Sequence, residues 1–231
     1  RWGEHQEAIT CFDEALVIDP QCCAVWTSRA NALDVLGQHE EALVCYDKVL
    51  AIDPRNACAW GNKGVTLAAL ARREEAIVCF DKALALDSRQ AIAWFAKGNA
   101  LDGLGRHKES IDCFDRALAL DSHYAAACFN KACAEDTTGE VEAAVRSYSR
   151  FLELASAQDA RQVSHARKRV EELSAPDVKR CDSRSQIAVL RQALSLNPQN
   201  GEAANDLIQA LLDVGDIDKA VVACQQLQGI S

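Results

Sequence analysis

The 231 residues carry a formal net charge of −9, which disfavours nonspecific binding to nucleic acid or to anionic membranes, because both favour positive surfaces. No apolar run approaches the roughly 18–20 residues of a membrane span, and the chain does not start with a signal segment. Hydrophobic residues make up 49% of the chain, which has only 11 glycines and 4 prolines and thus favours packed helices over long linkers. We expect a helical protein with no nucleic-acid or membrane partner.

The first 22 residues are typical of one helix that ends near Pro20. Their small, aromatic and proline residues return 34 residues later inside a longer unit, so we interpret residues 1–22 as the second half of a truncated repeat. The chain begins with Arg1 and contains no methionine. We therefore expect a fragment of a longer protein.

Four full units of 34 residues follow, at residues 23–56, 57–90, 91–124 and 125–158. A tryptophan recurs at this interval in the first three units, as Trp26, Trp60 and Trp94. A cysteine–aromatic–aspartate string keeps the same interval and begins at Cys11, Cys45, Cys79 and Cys113. In each unit, apolar and small residues at helical spacing predict two helices joined by a turn. A period of this length predicts a stacked helical-repeat array.

Beyond residue 158 the interval slips by eight residues before Pro198. We predict an irregular helical hairpin at residues 159–200, with a loop insertion near residues 176–184. Residues 201–231 restore the interval, with Gly215 and Ala220 in register, and predict a terminal hairpin of the same kind.

Small and aromatic residues recur at fixed places in these units. In the first full unit they are Trp26, Ala30, Gly37, Ala42, Tyr46, Val49 and Pro54. This pattern resembles the tetratricopeptide repeat over most of the chain. The resemblance implies an all-α fold, a right-handed α-solenoid superhelix of antiparallel helix-turn-helix repeats, in which small residues let paired helices touch and large aromatics fill the gaps.

The cysteines and histidines invite a metal or redox interpretation that their spacing disfavours. Cysteines 34 residues apart do not have the spacing of a chelating pair, and we interpret the four that share one repeat position as reduced core residues of a cytoplasmic protein. His5, His39 and His107 lie six residues before that position, on another helix face, where we expect solvated side chains. We expect no metal site and no cofactor.

Basic residues concentrate between positions 159 and 191, where eight Lys and Arg stand against five Asp and Glu. This stretch could meet an acidic partner, but charged runs on helices are most often solvated faces, and it has no interleaved aromatics for stacking on bases. No Ser/His/Asp, phosphate-loop or paired-carboxylate constellation occurs in a supporting context, so we do not expect an enzyme.

The resemblance implies a concave partner-binding groove lined by the first helix of each hairpin. Carried over position by position, the groove residues are Thr27, Asn31, Asp34, Cys58, Val65, Ile92, Phe95, Asn99, Asp102, Phe129, Cys133 and Asp136. Chaperone-binding members of the family grip a terminal carboxylate with Lys and Arg at repeat positions 2, 5 and 6, which hold no basic residue in these four units. The acidic line of Asp34, Asp102 and Asp136 either favours an apolar ligand with some Lys or Arg or only keeps the surface soluble.

These features favour a protein–protein interaction scaffold that holds an extended peptide or a partner helix in the groove. Two alternatives stay open. In the first, the array is the regulatory or substrate-docking arm of a larger enzyme, such as a glycosyltransferase or kinase. In the second, it is a scaffold that self-associates through its open repeat ends.

Overall fold

The computed structural model describes residues 2–174, 206–209 and 211. Within 2–174 the helices are α1 (Trp2–Ile18), α2 (Cys23–Val35), α3 (His39–Ile52), α4 (Ala57–Ala69), α5 (Arg73–Leu86), α6 (Ala91–Asp102), α7 (His107–Leu120), α8 (Ala125–Thr137), α9 (Val141–Leu154) and α10 (Ala160–Ser174). A 3₁₀ turn, Ala157–Asp159, precedes α10. The chain divides into two compact units, Arg1–Val170 and Glu171–Ser231.

Consecutive helices pack as helix-turn-helix pairs: α2 with α3, α4 with α5, α6 with α7, and α8 with α9. We call α2, α4, α6 and α8 the first helices and their partners the second helices. The second helices α3, α5 and α7 pack in turn on the first helix of the next pair, which is α4, α6 and α8 respectively. The all-α solenoid predicted from the repeat pattern is confirmed.

One aromatic side chain fills the centre of each pair. These aromatics, each at most 1% exposed, are Tyr46, Phe80, Phe114 and Tyr148. In the second and third pairs the ring lies against a glycine of the first helix, Gly64 or Gly98, where an added Cβ would lie 2.6 Å from the ring. Large side chains therefore meet small ones at this position, and their sizes set how closely two helices approach.

The recurring tryptophans tie each pair to the loop before it. Each indole Nε1 donates to a backbone carbonyl six residues earlier, at 2.9–3.0 Å: Trp26 to Pro20, Trp60 to Pro54 and Trp94 to Ser88. Trp60 also packs against the core clusters on both of its sides. The tryptophans thus hold pair to pair, as an indole with one polar atom and a large apolar body can do.

Charged side chains join the pairs at the surface and explain the aspartate of the cysteine–aromatic–aspartate string. An aspartate of α1, α3, α5 or α7 pairs with a cation of the following first helix, 16 residues later. These ion pairs are Arg29–Asp13, Lys63–Asp47, Lys97–Asp81 and Lys131–Asp115, at 2.5–2.7 Å. The aspartates are more than half exposed, so each pair contributes roughly 0–1 kcal/mol.

The turn inside each pair needs a residue with a positive φ. Gly37, Gly105 and Gly139 supply it with φ of 75–79°, but the second pair has Ala71 there, at a φ of 58°. The left-handed region brings the Cβ of alanine close to its own backbone, and glycine avoids that cost.

We expect Ala71→Gly to raise the free energy of unfolding by about 1 kcal/mol, because it removes this strain. The measurement is urea unfolding followed by far-UV circular dichroism. Ala69→Gly is the matched control, since Ala69 lies in helical conformation at the end of α4 and the change should cost roughly 0.5–1 kcal/mol. A loss of stability in both variants would contradict the assignment of strain to Ala71.

The expectation that all four repeated cysteines are core residues is wrong for Cys11, which is exposed, whereas Cys45, Cys79 and Cys113 are buried. The physical reason is the packing of α1, which lies mainly against α2, while α3, α5 and α7 each lie between two first helices. The loop insertion predicted near residues 176–184 lies outside the described residues, as does most of the predicted hairpin at 201–231.

Candidate functional site

The first helices of neighbouring pairs touch each other, α4 against α6 and α6 against α8, so their outward side chains form one continuous surface. We call this surface the groove face. The twelve residues predicted for the groove all lie on these helices, and each is exposed or partly exposed. The structure therefore places them on one layer of first helices.

Two pairs of asparagines bridge successive first helices on the groove face. The amide nitrogen of Asn62 lies 3.4 Å from Asn31 Oδ1, and that of Asn130 lies 2.7 Å from Asn99 Oδ1. Sequence reasoning missed Asn62 and Asn130, although both stand at the sixth position of their units. An asparagine side chain has two donors and two acceptor sites, so each pair keeps further hydrogen-bonding capacity.

Side chains of α3 and α4 hydrogen-bond to the carboxylate of Asp34, which therefore stabilises the packing of these helices. Its Oδ2 accepts from Thr66 Oγ1 at 2.7 Å and lies 3.1 Å from the hydroxyl of Tyr46. That hydroxyl is also 2.7 Å from Asn31 Oδ1. Burial, followed by the charge of Asp34, raises the pKa of Tyr46. The network fixes α2 to both α3 and α4.

Asp136 is bound by an arginine of α10. Nε and Nη2 of Arg169 lie 2.8 and 2.7 Å from the two carboxylate oxygens, a bidentate contact. The ring of His165, also on α10, lies 5.7 Å from that of Phe129 and 5.9 Å from that of Tyr148. The expectation of a solvated basic face is therefore wrong at Arg169, because α10 turns this side chain onto the groove face of the fourth pair.

Asp102 is the most open of the three groove aspartates. Its side chain is 38% exposed, against 22% for Asp34 and 19% for Asp136. In the described part of the chain, His107 alone bonds to it, with Nδ1 2.7 Å from Oδ1. The residue that corresponds to Thr66 in front of Asp34 is here Ala134, which has no side-chain donor.

The expectation of solvated histidines is wrong for His39 and His107. His39 Nδ1 lies 3.0 Å from Asp34 Oδ1, and the His107 contact to Asp102 is its repeat equivalent. Each ring reaches back from the start of a second helix to the end of the first helix, which leaves the imidazole only partly exposed. A histidine at this place can thus hold the aspartate five residues before it.

Apolar side chains flank these polar groups. Ile92 and Val65 are 70% and 50% exposed. Phe95 packs its ring 4.7 Å from that of Tyr124 and 5.9 Å from that of Phe114, with the side chain partly exposed. The middle of the groove face thus combines apolar area with open amides and one open carboxylate.

The thiols of the described segment divide by burial. Burial raises the pKa of Cys113 to about 11 and also raises the pKa of Cys45, Cys79 and Cys133. Cys58 is exposed, as expected for a groove position, whereas Cys133 is only partly exposed and receives the hydroxyl of Tyr148 at 3.4 Å. Buried, protonated thiols are poor nucleophiles and poor metal ligands.

The residues that the structure describes contain no group of three or more His, Cys, Asp and Glu side chains placed to hold a metal ion. In the same part of the chain, every helix is too short or too polar to cross a membrane.

Family models described as tetratricopeptide repeat match residues 23–56, 59–90, 91–124, 125–173 and 187–229. No curated protein matches the sequence. These repeat matches cover most of the chain, including both the regular pairs and the part after residue 158.

Solved structures share the fold at low identity. A crystal structure of MamA aligns with a TM-score of 0.63 at 21% identity, over 66% of this chain and 89% of that one. YrrB, described as a TPR protein with an unusual peptide-binding site, aligns with a TM-score of 0.57 at 18% identity, over 95% and 92%. A thermophilic TPR protein from Thermus thermophilus aligns with a TM-score of 0.58 at 22% identity, over 73% and 91%. The chain belongs to the tetratricopeptide repeat family, whose members are generally non-catalytic scaffolds.

Proposed function

We propose that the groove face binds an extended peptide or a partner helix and that the protein is an interaction scaffold. The observation that carries this proposal is the pair of asparagine bridges, Asn31–Asn62 and Asn99–Asn130, which lie two units apart on one surface. Side-chain amides can donate to and accept from the unpaired backbone groups of an extended ligand.

The apolar residues between the bridges supply the remaining part of a binding surface. Val65 stands at the repeat position of Asn31 and Asn99, so an exposed valine separates the two bridges. Ile92 extends the apolar area on the next first helix. A ligand that bonds to the amides would bury these side chains, at roughly 25 cal/mol for each Å² of apolar area removed from water.

The charge of the groove face favours a ligand with basic residues. Of the three aspartates on it, Asp102 is the most exposed, and the positions at which chaperone-binding relatives carry Lys and Arg hold none here. A free carboxylate terminus is therefore a poor fit, whereas an apolar segment with one or more cationic side chains is complementary.

We expect Val65→Glu to weaken peptide binding at least about tenfold, because a charge would replace apolar contact area at the centre of the groove face. The measurement is fluorescence anisotropy with peptides selected on the wild-type protein from a random library. Val78→Glu is the matched control, since Val78 is 53% exposed, similar to Val65, but lies on the second helix α5. Equal losses in the two variants, or a loss in Val78→Glu alone, would place the binding surface elsewhere.

A further inference from the structure

We infer that Asp102 binds an arginine side chain of the partner. The inference rests on the proposed function, since it assigns one anchor residue of the ligand that the groove face holds. It goes further because it names the group that is recognised, a guanidinium, and the residue that recognises it.

The chain itself contains the template for this contact. Asp136 stands 34 residues after Asp102, at the same place in the next unit, and it is occupied by the guanidinium of Arg169 in a bidentate contact of 2.8 and 2.7 Å. The arginine comes from α10, the helix that follows the fourth pair. A carboxylate at this position of the solenoid is therefore placed and oriented to take a planar guanidinium.

Comparison of the three aspartates shows that Asp102 has the most open carboxylate: His107 bonds to its Oδ1, and among the described residues no side chain bonds to its Oδ2. Asp34 receives the hydroxyl of Thr66 from the next first helix, and Asp136 receives Arg169. In front of Asp102 the next first helix carries Ala134, whose methyl group donates nothing. The exposed fraction of the Asp102 side chain is accordingly larger than that of either equivalent residue.

The surroundings of Asp102 suit the stem and the backbone of the same ligand residue. Asn99 lies one helical turn earlier on α6 and is bridged to Asn130, which places open amides beside the carboxylate. Phe95, one more turn earlier, offers a partly exposed ring for the aliphatic part of an arginine.

The charge of a neighbouring arginine sets the expected direction of one control. His107 bonds to Oδ1 of Asp102, and the guanidinium of Arg73 lies over the adjacent Gly103, where an added Cβ would lie 2.5 Å from its Nε. Arg73 makes no ion pair with Asp102 among the residues described. Its positive charge opposes a second guanidinium, so its removal should strengthen the contact.

The test compares pools of fluorescein-labelled octapeptides that differ at one fixed central residue: arginine, the neutral isostere citrulline, or lysine. The other positions are randomised among Ala, Leu, Val and Ser, and both ends are blocked. We expect wild-type protein to bind the arginine pool about tenfold more tightly than the citrulline pool, and more tightly than the lysine pool, because the fork of arginine matches a carboxylate.

Two variants test the Asp102 carboxylate in different ways: one removes it, and the other gives it a hydrogen-bond donor from within the protein. Asp102→Asn should abolish the preference for the arginine pool over the citrulline pool. Ala134→Thr should do the same without loss of the carboxylate, because it supplies the internal donor that Thr66 provides to Asp34. Arg73→Ala should increase the preference, and Asp112→Asn, which removes an exposed carboxylate from the second helix α7, should leave it unchanged.

The outcomes separate the two proposals. The arginine assignment is overturned, while the peptide-binding proposal stands, if wild-type protein binds all three pools equally. The same holds if Asp102→Asn and Ala134→Thr both keep the preference for the arginine pool. If wild-type protein binds none of the pools, the peptide-binding proposal fails and the arginine assignment fails with it.

Discussion

Glu135→Leu is expected to raise the free energy of unfolding by about 2 kcal/mol, because replacement of buried charged groups by well-packed apolar residues is often stabilising. Glu135 is only 3% exposed, and its Oε2 is buried without a hydrogen-bond partner in the described structure. Among the residues that the structure describes, its Oε1 has only Lys131 nearby, at 3.5 Å, and that lysine is already bound to Asp115 at 2.5 Å. The carboxylate thus bears a desolvation cost that its surroundings offset only in part.

The repeat itself shows that leucine fits at this place. The equivalent residues of the three preceding first helices are Leu33, Leu67 and Leu101, each at most 2% exposed. Loss of Glu135 would not strand a buried cation, since Lys131 keeps Asp115, as Lys63 and Lys97 keep their own aspartates. The fourth pair would then have leucine at this position, as the first three pairs do.

The measurement is the urea midpoint of Glu135→Leu, followed by far-UV circular dichroism. The reverse substitution, Leu101→Glu, is the paired test: Lys97 precedes it by four residues, as Lys131 precedes Glu135, and the change should destabilise the protein by a similar or larger amount. Glu142→Leu, on an exposed position of α9, is the control for an added leucine. A lower midpoint for Glu135→Leu would mean that Glu135 contributes more than its contacts indicate.

Sequence periodicity predicted most of the fold because each helix pair packs in the same way and needs residues of similar size at the same positions. The 34-residue interval gave the aromatic positions Tyr46, Phe80 and Phe114 and the turn glycines, each of which has one physical requirement. It failed at Cys11, because the burial of a repeated residue depends on the helix beside it, and that helix differs at α1.

The groove face was less predictable because its state depends on single side chains that do not repeat. Asp34, Asp102 and Asp136 are equivalent in sequence, but Thr66, Ala134 and Arg169 give them three different environments. The contact of Arg169 with Asp136 joins the fourth pair to the part of the chain after residue 158, where the 34-residue interval slips. A periodic pattern thus located the surface without showing which of its carboxylates was open.

The contact of Gly98 with Phe114 is expected to carry the largest loss of stability. Phe114 is completely buried, and Phe114→Ala should lower the free energy of unfolding by about 3–5 kcal/mol through lost contacts and a cavity. Gly98→Leu should cost about 3 kcal/mol from the opposite cause, since its Cβ would lie 2.6 Å from Cε1 of the ring and α6 would have to move away from α7.

The double variant decides whether these two costs arise from one contact. In Gly98→Leu with Phe114→Ala, the leucine occupies space that the ring has left, so the combined loss should be smaller than the sum by about 2 kcal/mol. Gly61→Leu is the control, because the nearest atom to an added Cβ there is Gln90 Oε1 at 3.8 Å, and the change should be neutral or stabilising. Additive losses in the double variant would show that Gly98 is required for a reason other than the size of Phe114. Since Gly64 and Phe80 repeat the same contact one unit earlier, the same coupling there would establish it as the element that sets helix spacing in both pairs.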